Sequence, residues 1–62
     1  MYLNLEVTRK TRGYTINDMA FVISKSPATY YKKEMGFVST TVKEAIQIAK
    51  KLNSTVEYLF TE

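Results

Sequence analysis

The sequence predicts an all-α fold, a compact bundle of five helices, and three observations carry that prediction. Apolar residues recur at helical spacing, hydroxyl residues stand where helices would begin, and glycine or asparagine stands where they would end. The 62 residues are read as one domain, residues 1–62. A chain of that size encloses only about 60% of its unfolded surface, so its core is small.

Leu3, Leu5 and Val7 alternate as a strand would, yet with Arg9 to Arg12 they also fit a helix ending at Gly13. The helix is favoured, because a lone strand has no pairing partner in an otherwise helical chain. A second helix is announced by Thr15 as N-cap, with Asp18 in the capping-box position and Tyr14 able to staple onto Met19. Its residues Ile16, Met19, Ala20 and Ile23 share one face, from which Phe21 and Val22 depart.

Ser26 then caps a third helix with Pro27 at its first position, where a missing N–H does no harm. That helix runs through Tyr30, Tyr31 and Glu34 and stops at Gly36. Thr41 and Glu44 form a capping box for a fourth, whose Val42, Ala45, Ile46, Ala49 and Leu52 keep helical period. Lys50 and Lys51 suit its last turn, with Asn53 as C-cap. Ser54 and Glu57 make a further capping-box pair before Val56, Leu59 and Phe60 on a short fifth helix.

Composition narrows the function. With no cysteine and no histidine, the chain lacks a thiolate metal site, a disulfide and the usual general base. The expectation is therefore a protein that is not an enzyme, with no cofactor, no metal and no small-molecule substrate. No apolar run approaches the roughly 20 residues that span a bilayer, and no basic region leads into an apolar one at the N-terminus. A soluble, intracellular protein without a membrane partner is expected. The net charge is +3, and all the excess lies before Phe37. Arg9, Lys10, Arg12, Lys25, Lys32 and Lys33 outnumber Glu6, Asp18 and Glu34 there, while the later charges balance. A basic portion of this kind fits a polyanion partner as well as an ordinary solvated surface.

The second and third helices are separated by three residues, Ser24-Lys25-Ser26, with the small Ala20 where they would cross. That is the plan of a helix-turn-helix, whose second helix can enter the major groove of double-stranded DNA.

Several residues together give the chain a family likeness. Arg9-Lys10-Thr11-Arg12-Gly13-Tyr14-Thr15 closes helix one and caps helix two; Ala20 and Ile23 take the motif's small and apolar positions. Glu34 and Gly36 end helix three, and Ala45, Ile48, Ala49, Leu52 and Asn53 mark helix four. In these features the whole chain resembles the Cro and repressor (XRE-like) family of phage and bacterial regulators. The resemblance implies a five-helix, lambda-repressor-like DNA-binding domain that regulates transcription by sequence-specific binding. It also implies a homodimer and a bacterial cytoplasmic location, with a phage genome among the sources of such genes.

Carried over residue by residue, the resemblance makes Pro27 to Met35 the recognition helix. Pro27, Ala28, Thr29, Tyr31 and Lys32 become its base-contact candidates. Lys32 fits base reading and phosphate binding alike, and Tyr31 fits the groove or a packing role. The resemblance also implies an ion pair between Arg9 and Glu34 that holds this helix in place, and a core position for Tyr30. Thr15, Lys25, Ser26, Ser39, Thr40 and Lys43 are phosphate-contact candidates on the general chemistry of helix starts, hydroxyls and cations, though each also fits a capping or surface role. Tyr58, Leu59 and Phe60 are candidates for the dimer interface or, alternatively, for burial within one copy.

The chain also departs from the family pattern. Ser24 replaces the usual turn glycine and is acceptable where the turn avoids a strongly positive φ. Ile16 stands where a phosphate-binding glutamine is common, and the loop after Gly36 lacks the basic residues of many relatives. Lys33 takes a typically apolar position, which requires its stem to pack while its ammonium reaches solvent. Phe21, Val22, Phe37 and Val38 are apolar where relatives are polar. They fit a locally rearranged core, or an interface with another regulatory protein or toxin. That second reading would make the chain a protein-interaction module of helix-turn-helix origin. RNA binding finds no stacking platform in the sequence.

Overall fold

Four of the five helices begin on a hydroxyl side chain, and four of the five end on the same backbone device. The computed structural model describes residues 1–62 and contains α1 (Leu3–Thr11), α2 (Ile16–Val22), α3 (Pro27–Glu34), α4 (Val42–Lys51) and α5 (Val56–Leu59), with no strand. Leu3, Leu5 and Val7 are thus helical. No helix is long and apolar enough to cross a membrane.

Thr15, Ser26, Thr41 and Thr55 each accept, through the side-chain oxygen, the N–H of the residue three positions on. Each bond satisfies a backbone donor that the first helical turn leaves free. At Thr15 and Thr41 the capping box is complete, with Asp18 and Glu44 returning the bond to the cap residue's own N–H. The cap of α5 is Thr55, not Ser54 as the sequence suggested. Ser54 is already committed: its N–H bonds to Ala49 O at 2.9 Å and closes the end of α4.

The ends of α1, α2, α3 and α4 share one pattern, a left-handed residue flanked by two reversed backbone bonds. At α1, Gly13 N–H bonds to Lys10 O and Tyr14 N–H to Arg9 O, both at 3.0 Å. At α2 the pairs are Ser24 to Phe21 and Lys25 to Ala20; at α3, Gly36 to Lys33 and Phe37 to Lys32; at α4, Asn53 to Lys50 and Ser54 to Ala49. Glycine supplies the left-handed residue twice, with φ of 82° at Gly13 and Gly36. Ser24 (φ 57°) and Asn53 (φ 53°) supply it elsewhere. The condition set for Ser24, a turn that avoids a strongly positive φ, is therefore not met. With three residues to turn the chain from α2 into α3, closing both reversed bonds requires the left-handed geometry, which costs an L-residue roughly 1–2 kcal/mol.

One core joins all five helices: Leu5 from α1, Met19, Ala20 and Ile23 from α2 and its end, Tyr30 from α3, Ile48, Ala49 and Leu52 from α4 and its end, and Leu59 from α5. α2 packs on α3 and α4, and α5 packs on α1 and α4. Ala20, 1% exposed, lies in this core on the helix that packs against α3 and α4, where a larger side chain would overpack the interior. The result positions α3 with one side against the core and the other in solvent.

Candidate nucleic-acid interface

Helix α3 divides cleanly along its length. Tyr30, Lys33 and Glu34, at i, i+3 and i+4, are buried, whereas Pro27, Ala28, Tyr31 and Lys32 are exposed. These four side chains form one outward stripe, because positions one turn apart share a helix face. Thr29 lies on the flank, half-buried, and its hydroxyl oxygen accepts from Ser26 Oγ at 2.9 Å. The helix closes at Glu34 with Met35 as its C-cap, one residue short of the expected end.

Two buried ion pairs hold the inner side. Arg9 Nε donates to Glu34 Oε2 at 2.9 Å and Arg9 Nη2 to Glu34 Oε1 at 3.1 Å, a two-point fork between α1 and α3. The third guanidinium nitrogen, Nη1, donates to Tyr14 O at 3.0 Å, and Tyr30 Oη donates to Glu34 Oε2 at 2.8 Å. The bonded Glu34 carboxylate pushes the Arg9 pKa further up. Burial first, and the neighbouring Glu34 second, push the Tyr30 hydroxyl well above the ordinary tyrosine range. At neutral pH Arg9 is thus a fixed cation and Tyr30 a neutral phenol.

The second pair is Lys33–Glu44, with Nζ 3.1 Å from Oε1 and both side chains almost enclosed. Lys33 Nζ also donates to Ser39 O at 2.7 Å. The expectation that this ammonium reaches solvent is corrected: it points inward because a carboxylate and a carbonyl wait there. Burial works to raise the Glu44 pKa, but the Thr41 N–H, the Lys33 ammonium and the Thr41 hydroxyl outweigh it and hold the carboxyl below the ordinary glutamate range. Sequence reasoning did not bring these two residues together. The available signal was the position of Lys33 on the inward stripe, which demanded a buried anion.

The phosphate-contact candidates fall into three groups. Lys25, Lys32 and Lys43 are exposed and engage no side chain in an ion pair, so their charge is free for a polyanion. The Thr15 and Ser26 hydroxyls are occupied as helix caps, and the Thr15 N–H is already bonded to Asp18 Oδ2 at 2.8 Å. Ser39 is exposed, but Thr40 is not usable through its side chain: Thr40 Oγ1 is buried without a partner. The loop backbone turns that hydroxyl inward, so a contact from Thr40 would have to come from its main chain.

The remaining candidates lie elsewhere. Leu59 is fully enclosed in the core and offers no surface to a partner. Phe60 is half-buried and meets the Tyr2 ring edge-on at 5.1 Å, which leaves Tyr58, 55% exposed, as the open apolar group of that end. Phe21 is 86% exposed and, with the half-buried Val22, lines a shallow hollow of about 370 Å³ together with Gly13, Tyr14, Asn17, Asp18 and Lys51. Phe37 and Val38 are exposed on the α3–α4 loop and are not among the walls of that hollow.

A family model described as helix-turn-helix matches residues 5–59, a span that starts within α1 and ends with α5. No curated protein and no solved structure matches the chain.

Proposed function

The chain belongs to the Cro- and repressor-like (XRE) helix-turn-helix family of DNA-binding regulators, and from that premise we propose that it is a sequence-specific, repressor-like regulator that inserts α3 into the major groove. One observation carries this reading. The stripe of Pro27, Ala28, Tyr31 and Lys32 has no partner within the molecule, while the opposite side of the same helix is locked by two buried ion pairs. A rigid helix with a free outer face is what direct reading of base edges requires. Lys32 would donate to guanine O6 or N7, Ala28 would meet a thymine methyl, and Tyr31 would fill the groove between them. Lys25 and Lys43 would contact phosphates.

The proposed unit on DNA is a homodimer. The molecule measures 23 × 22 × 19 Å, whereas successive major-groove faces lie roughly 34–36 Å apart, so one copy reaches only one half-site. Two copies would read a pseudo-palindrome, with Tyr58 the exposed aromatic residue of the C-terminal end for their contact.

The test is selection of bound duplexes from a random library, repeated with Lys32→Ala. The reading expects enrichment of one motif, relaxed at a single base position in each half-site by the substitution. Enrichment of nothing by the unaltered protein removes the proposal.

A second reading, a module that binds another regulator or a toxin, draws on Phe21 and Phe37, which are 86% and 73% exposed. Phe21→Ser and Phe37→Ser separate the two readings. Loss of a protein partner with DNA binding intact favours the second, and unchanged partners favour the first.

A further inference from the structure

Lys33 places a cation on the inner side of α3, and its ammonium finds both partners outside its own helix. Ser39 O, at 2.7 Å, belongs to the α3–α4 loop, and Glu44 Oε1, at 3.1 Å, to the first turn of α4. The same Glu44 oxygen accepts the Thr41 N–H at 3.0 Å, and Thr41 Oγ1 accepts the Glu44 N–H at 3.1 Å. One side chain of α3 is thereby tied to the middle of the loop and to the cap of the next helix at once. The Lys33 and Glu44 side chains are only 7% and 9% exposed, so water does not compete for these bonds.

Stability alone does not account for such a pair, since well-packed apolar residues of similar volume are commonly as stabilising as a buried ion pair or more so. What an ion pair with shared hydrogen bonds adds is direction. An apolar contact tolerates sliding, whereas three bonds converging on two side chains admit one offset between the elements they join.

We propose that Lys33 and Glu44 are positioning residues for DNA binding. They hold Ser39 and Lys43 at one set offset from the outward stripe of α3, so that phosphate anchoring and base reading engage the duplex in the same register. The inference rests on the DNA-binding face described under the proposed function. Neither residue touches DNA in this scheme, because both are enclosed. The Arg9–Glu34 fork does a different job, tying α3 back to α1.

The experiment uses the full chain, a duplex enriched from a random library by the unaltered protein, and an unselected duplex of equal length. Lys33→Met and Glu44→Gln are compared with the unaltered protein by circular dichroism and by affinity for both duplexes across a salt series. Non-specific binding tolerates a shifted loop and specific binding does not. The ratio of selected to unselected affinity is therefore expected to fall at least about tenfold in each folded variant, on the scale of one mismatched base pair. The salt slope on the selected duplex is expected to fall by about 1 as a phosphate contact is lost. Lys33 is already neutralised inside the protein, so deleting its charge cannot lower that slope directly.

Glu44→Gln keeps an oxygen for the Thr41 N–H. If Lys33→Met does not fold, Glu44→Gln and the charge-free Lys33→Leu/Glu44→Gln pair carry the test. Folded variants whose ratio stays within about twofold of the unaltered protein overturn the inference while leaving DNA binding intact. Failure of the unaltered protein to enrich any duplex overturns the DNA-binding face, and this inference with it.

Discussion

Replacing Arg9 with methionine tests how far the fold depends on its buried fork. The substitution deletes three hydrogen bonds: two to Glu34, at 2.9 and 3.1 Å, and one to Tyr14 O, at 3.0 Å. It leaves the Glu34 carboxylate, 3% exposed, with only the Tyr30 hydroxyl for company. Removing one partner of a buried pair costs about 3–5 kcal/mol, because the remaining charge is stranded away from water. At roughly 0.05–0.15 kcal/mol per residue, a chain of 62 residues has a total stability of about 3–9 kcal/mol. Arg9→Met is therefore expected to lose a third or more of the stability, and to unfold at ambient temperature if the total lies at the lower end of that range. Urea denaturation followed by circular dichroism measures the loss. Adding Glu34→Leu to Arg9→Met removes the stranded charge and should recover part of it, with a coupling of about 1–3 kcal/mol between the two sites. A loss below about 1 kcal/mol with no coupling is the behaviour of an exposed pair, and it would refute the reasoning.

Three further predictions concern single positions. Ser24→Gly places a residue without a Cβ where φ is 57°; relief of about 0.5–1 kcal/mol should raise the thermal midpoint by about 2–8 °C, and a lower midpoint counts against the strain assigned there. Thr40→Val removes the buried, unpartnered hydroxyl, so unfolding experiments should find stability unchanged or higher by up to about 1 kcal/mol, with DNA affinity unaffected. The lowered pKa of Glu44 gives stability that is present above its ordinary value of 4.5 and is lost as pH falls through the depressed value in the folded state. Asp18, held down by the Thr15 N–H and hydroxyl, and Glu6, held down by Lys10, act in the same direction. Urea titrations at neutral and acid pH should follow that decline, and Glu44→Gln should make it shallower.

The starts of α2 to α5 were legible because each is a local event, a hydroxyl reaching an N–H three residues on; α1, whose cap residue Tyr2 makes no side-chain bond, carries no such signal. The one misplacement, Ser54 for Thr55, arose where two hydroxyl residues adjoin and the end of one helix claims the first of them. The outward stripe of α3 came from the family resemblance, which singled out Pro27, Ala28, Tyr31 and Lys32; helical spacing by itself argued only that Tyr31 faces away from Tyr30, and all four are exposed. The setting of Lys33 was not legible. Its inward direction follows from helical period, but its partner stands 11 positions ahead and had a sufficient local role as the capping-box residue of α4. The φ of Ser24 was missed because residue type argues against it; only the short distance between α2 and α3 forces it. The burial of the Thr40 hydroxyl was not legible, because hydroxyls in loops usually meet water and nothing in the sequence shows which way the backbone turns it.

The repeated way in which α1 to α4 end has a consequence for how the chain assembles. Each change of direction closes through bonds between residues three to five positions apart, so closing a corner needs no contact with distant parts of the chain. What remains for the rate-limiting step is long-range closure, typified by the Asn4 side chain reaching Tyr58 O, 54 positions away. A molecule whose turns are decided locally and whose ends need only find each other once should fold on the microsecond-to-millisecond scale of small helical proteins.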